Sequence, residues 1–157
     1  MNKDAVIFSA LIAAYGCASA QSMGYVDADT PSEAVGMMKV SAHNSEVMRV
    51  ECIARFPEQK NEIDENLSQW KKKEAYVLAK ADFYWGQMAK KKPDLTKTLD
   101  YATKVVKQKL ELAENAPNGA GQEVLAQYCR QHFSDLASGI WRNARTPKAY
   151  QFLDKAP

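Results

Sequence analysis

Cys129 and His132 stand three residues apart, a spacing that sets both side chains on one face of a helix and would let them share a metal ion. Cys52 would supply a third ligand and His43 a fourth. Cys129 beside His132 is also the one thiol–imidazole pairing from which an activated nucleophile could be built. Both chemistries need free thiols, and no compact C-x-x-C or H-E-x-x-H pattern backs either of them. A disulfide between Cys52 and Cys129 would remove both at once. It is the simplest use of the two cysteines that remain of three if Cys17 leaves with an export signal, worth about 4 kcal/mol if unstrained. We therefore expect a Cys52–Cys129 disulfide and no cofactor, with Cys52, Cys129 and His132 as the alternative metal set.

Other catalytic arrangements are poorly supported. There is no Gly-x-Ser-x-Gly, and Ser138-Gly139 lacks the strand-to-helix setting of a nucleophile elbow. Glu58, Glu62, Asp64 and Glu65 crowd what reads as a helix start, where carboxylates favour the helix dipole without any catalytic role. Glu74 falls on an apolar stripe and is expected at its solvated rim. Nothing here requires an enzyme. Two groups remain as candidates for partner contact: Lys71, Lys72 and Lys73 in mid-helix, and Trp141 with Arg142 and Arg145, a tryptophan–arginine composition enriched at interface hot spots.

The elements that position these residues begin after an export signal. Lys3 gives a positive start, Ala5 to Ala14 are largely apolar, and Ala18-Ser19-Ala20 offers a small-x-small cleavage pattern before Gln21. Ala14-Tyr15-Gly16-Cys17 loosely resembles a bacterial lipobox, which would instead anchor the chain through a lipid on Cys17. Residues 1–20 are thus expected to be a signal peptide and 21–29 a flexible leader. The expected location is periplasmic or secreted, with membrane contact only if Cys17 is lipidated. Loss of Lys3 and Asp4 leaves the net charge at +2, too balanced for a dedicated nucleic-acid binder.

Beyond the leader, Thr30-Pro31-Ser32-Glu33 reads as a capping box with proline at the first helical position. That helix extends toward Phe56, with a second N-cap available at His43-Asn44-Ser45, and Pro57 stops it. Ile63, Leu67, Trp70, Glu74, Val77, Ala81, Tyr84 and Met88 keep a four-three rhythm and predict one long helix over Glu58 to Lys91. Tyr76 with Phe83, and Leu78 with Trp85, add further stripes beside it. A third helix is expected from Asp94 to Asn115, a turn over Ala116 to Gly121, and a fourth helix from Gln122 to Ser138. Thr146-Pro147 repeats the cap pattern and opens a short terminal helix.

These observations predict a single all-α domain over 30–157, a four-helix bundle with a short C-terminal helix, stapled by one disulfide. The expected role is non-enzymatic: binding another envelope protein, as an inhibitor, immunity protein or adaptor would. The alternatives are a small-ligand or metal site in the bundle interior near Glu74, Trp85 and His132, and a lipid-anchored protein or periplasmic chaperone. The sequence names neither the partner nor the oligomeric state.

Overall fold

Thr30 opens the first helix as its sequence requires: its hydroxyl accepts from Glu33 N–H at 3.2 Å, while the Glu33 carboxylate accepts from Thr30 N–H at 3.1 Å. The structure is a computed structural model and describes residues 27–116 and 120–156. The signal peptide, Cys17 and leader residues 21–26 lie outside the described residues. Helix α1 (Pro31–Arg55) runs unbroken past His43-Asn44-Ser45. Ser45 does not cap there, because its hydroxyl donates back to the Ser41 carbonyl at 2.9 Å within the same helix. Phe56 leaves helical geometry ahead of Pro57.

A 3₁₀ turn (Pro57–Gln59) leads into α2 (Lys60–Lys73), and α3 (Ala75–Lys91) follows after a break at Glu74. The single helix expected over Glu58 to Lys91 is therefore two. Helix α4 (Leu95–Glu114) and α5 (Gly121–Ser138) match the expected third and fourth helices to within a residue at each end. A π-helical turn (Trp141–Arg145) then joins α5 to α6 (Pro147–Lys155). Gly121 is obligatory where α5 begins, since a Cβ there would lie 2.5 Å from the Glu114 carbonyl oxygen closing α4.

All described elements are helical or irregular, as expected, but the count is not that of a four-helix bundle. Six α-helices are present among the described residues. Helix α1 is the axis, packing against each of the other five, while α2 and α4 also pack on α5. Helix α6 is no appendage: Ala149, Tyr150 and Leu153 are buried in the same core as Ile63, Trp70 and Phe133. The described end of the expected leader is docked too. Ala28 is fully buried, and the Asp27 carboxylate accepts from Lys148 N–H at 2.8 Å and Ala149 N–H at 3.1 Å. Asp27 thus caps α6. Thr146, the expected cap, instead donates its hydroxyl to the Trp141 carbonyl at 3.3 Å.

The disulfide joins Cys52 of α1 to Cys129 of α5 across a sequence separation of 77 residues, with both residues fully buried. It lies on the Met48, Cys52 and Phe56 stripe, so an oxidised link closes the loop that carries α2, α3 and α4. Replacing both cysteines by alanine is expected to lower the unfolding free energy by about 4 kcal/mol, through the greater freedom of the open unfolded chain. Urea titration of the two proteins measures it, and a loss below about 1 kcal/mol would show that the link closes no costly loop.

Candidate functional site

Glu74 occupies the break between α2 and α3, where neither proline nor glycine explains a loss of helix. The residue is 5 % exposed, which overturns its expected place at a solvated rim. Its carboxylate accepts from Arg142 Nη2 at 2.5 Å and from Arg142 Nε at 3.0 and 3.1 Å. Arg142 also donates through Nη1 to Asp154 at 2.6 Å, and its guanidinium stacks 4.6 Å from the Tyr150 ring centroid. Hydrogen bonding to Glu74, and then to Asp154, holds the Arg142 guanidinium even more firmly protonated than usual. Tyr150 in turn accepts from the Trp70 indole N–H at 3.3 Å, and burial pushes its phenol up to about 12. The α2–α3 break, the π turn and α6 thus meet on one cation, and α2 joins them through Trp70 and Tyr150.

The neighbouring residues of the π turn are engaged in the same way. Arg145 pairs with the carboxylate of buried Asp135, which also accepts from Gln131 at 2.6 Å. The Arg145 guanidinium lies 5.1 Å from the Trp141 ring centroid, and Trp141 meets His132 edge-on at 6.0 Å. Trp141, Arg142 and Arg145 are therefore gathered at one corner, with both arginines bonded to carboxylates of the fold itself. The three lysines are dispersed. Lys71 pairs with Glu46, Lys73 donates to the Ala137 carbonyl at 2.5 Å, and Lys72 is exposed.

His132 is enclosed between α5, α1 and the π turn. The Ser45 hydroxyl lies 2.9 Å from the Ser41 carbonyl and within hydrogen-bond distance of His132 Nε2, at 3.3 Å. The alternative metal set changes character, because the sulfurs of Cys52 and Cys129 are bonded to each other. His43 lies apart from them and bonds to Thr103 at 2.7 Å. Burial first, and then the charge of Arg145, lower the His132 imidazole to about 4, while Asp135 partly opposes them.

Among the stripes of α3, one faces outward. Val77, Ala81 and Trp85 are buried, whereas Tyr76 and Phe83 are 63 % and 61 % exposed. Tyr76 and Phe83 share a face with Lys80, Gln87 and Lys90 by helical spacing. The Lys80 ammonium sits 4.2 Å from the Tyr76 ring centroid and donates to the Leu153 carbonyl at 3.2 Å and to the Ala156 carbonyl. That contact fixes α6 against α3 and stiffens the face around the two aromatics. Periodicity distinguished this stripe from its neighbours but could not say which would turn out. No protein-family model matches the chain, and neither a curated protein nor a solved structure is detectably similar to it.

Two outcomes follow from these contacts. Arg142→Ala leaves the Glu74 carboxylate buried without its cation and should cost about 3 kcal/mol in a urea titration. The double variant Glu74→Met/Arg142→Met should regain much of that loss, and additive losses would show that the two do not act as a pair. For His132, the folded pKa lies below the ordinary value of 6.5, so the unfolded chain binds the proton first as pH falls. Stability is full above the unfolded value and should drop by about 2 to 3 kcal/mol between roughly pH 6.5 and 4.5. His132→Gln should flatten that slope in pH-dependent thermal melts, whereas an unchanged slope would assign it to other groups.

Proposed function

We propose that this chain is an exported, non-enzymatic helical protein that binds another protein of the cell envelope, as an inhibitor, immunity protein or adaptor does. The outward face of α3 carries this reading. Two large aromatics seven residues apart stay exposed on a helix whose other aromatic and aliphatic stripes turn inward. Tyrosine and phenylalanine held on a rigid helix lose little conformational entropy on binding and are enriched in protein interfaces. Lys90, exposed on the same face, suits a partner surface bearing carboxylates. Of the residues singled out in the sequence, Lys72 offers a further exposed cation, while Arg142 and Arg145 are held by Glu74, Asp154 and Asp135.

The export reading rests on residues 1–20 and agrees with a buried disulfide, which persists in an oxidising compartment. Cleavage after Ala20 would release the domain, and lipidation of Cys17 would tether it to a membrane. A periplasmic chaperone would use a broad apolar groove. The compact Tyr76 and Phe83 patch on one helix favours a specific partner instead.

A photoreactive residue replacing Phe83, in cells that express the chain natively, should yield one cross-linked envelope protein of constant mass. The same residue at Glu62 should yield none. Tyr76→Glu/Phe83→Glu should weaken capture by about tenfold or more with helix content unchanged. Equal cross-linking from both positions, or capture that survives the double variant, would remove this face from the mechanism.

A further inference from the structure

Helix α4 leaves one face uncovered. Ala102, Val106 and Leu110 are buried, and the helix packs on α1 and α5. Polar contacts hold it to α1 as well: Thr103 bonds to His43 at 2.7 Å, Lys107 pairs with Glu51 at 3.3 Å and Glu114 with Arg55 at 3.0 Å. Away from that side Tyr101 and Leu112 are 69 % and 67 % exposed, with Val105 half-buried between them. Tyr101, Val105, Gln108 and Leu112 follow a four-three-four spacing, so they form one stripe about 16 Å long on the helix surface. That rhythm is the one on which a second helix seats its side chains. Among the described residues nothing lies over it.

The charges bordering the stripe say what can cover it. Lys104 and Glu111, seven residues apart, run along one border, and Ala102 and Lys109 along the other. Lys104, Lys109 and Glu111 are exposed, and none has an ion pair among the described residues. Two copies of α4 crossing antiparallel would set Tyr101 level with Leu112 of the other copy, and Val105 level with Gln108. Each Lys104 then faces Glu111 of the other copy, making two symmetry-related ion pairs, while Lys109 faces Ala102. Two parallel copies would instead oppose Lys104 to Lys109 at both borders. The helix is thus self-complementary in one orientation and self-repelling in the other.

We propose that α4 is a self-association surface, docking antiparallel on α4 of a second copy to form a two-fold dimer. The same patch serves both copies, as closed two-fold symmetry requires. Gln108 is the polar member of the seam, and a single such residue sets register at some cost in affinity. With so few apolar side chains from each copy, the association is reversible rather than obligate. The surface is separate from the outward Tyr76 and Phe83 stripe of α3, and it stands whether or not that stripe has a partner.

Sedimentation equilibrium on the full exported chain tests the assignment. A reversible monomer–dimer equilibrium is expected between micromolar and submillimolar concentrations. Tyr101→Glu/Leu112→Glu should stay monomeric throughout, with helix content unchanged because both side chains are exposed. Glu111→Lys sets a lysine against Lys104 and should weaken the dimer by about tenfold or more. Lys104→Glu should do the same, and Lys104→Glu/Glu111→Lys should restore association, since the exchanged charges again attract. A monomer at every concentration would overturn the proposal, as would a dimer that survives Tyr101→Glu/Leu112→Glu or one lost with Tyr76→Glu/Phe83→Glu. So would a dimer strengthened by Lys104→Glu, which would make the pairing parallel, or a charge exchange that fails to restore it.

Discussion

A carboxylate buried in a helical core must have a cation beside it, and most of this architecture follows from how Glu74 obtains one. The partner, Arg142, lies 68 residues further along the chain. Bringing it there requires the chain to leave α5, turn through the π-helical segment, and lay α6 across the end of α3. Asp154, Tyr150 and Trp70 then complete the surroundings of the same guanidinium. An ion pair of this kind adds little net stability over a well-packed apolar pair, but it is costly to break and specific in geometry. Its role is to select one arrangement of the C-terminal segment from the many that apolar contact alone would permit.

The other fastenings act on different parts of the chain. The Cys52–Cys129 link fixes α1 to α5 and limits the unfolded ensemble. Asp27 reaches the start of α6 from the opposite end of the sequence and satisfies amide groups that Thr146 leaves open. Lys80 closes the far end of α6 through the Leu153 carbonyl. Helix α6 is thus held at its start, its middle and its end by polar contacts from three distant segments, with Leu153 and Tyr150 buried beneath. A C-terminal helix tied in this way makes a firm backing for α3.

Much of this was legible from residue type and spacing. Thr30-Pro31 and Pro57 marked helix ends because proline restricts the backbone locally, and Cys52 with Cys129 marked the disulfide. The misread features depend on partners remote in sequence. The apolar rhythm passes through Glu74 without interruption, so periodicity alone gave one helix. The sole hint was a charge on the apolar stripe, and resolving it needed Arg142. Arg142 and Arg145 read as available donors because composition cannot disclose that Asp154 and Asp135 lie within reach. Thr146 carries a capping signature that Asp27 overrides.

Amide hydrogen exchange on Glu74→Gln tests the dependence of the C-terminal arrangement on this one carboxylate. Protection should fall together in Trp141–Arg145, in Pro147–Lys155 and in the first turn of α3, while α1 and α5 around the disulfide stay protected. That pattern would establish the ion pair as the tie between the two halves of the fold. Unchanged protection of α6 would contradict it and leave apolar burial of Tyr150 and Leu153 as sufficient to hold the helix in place.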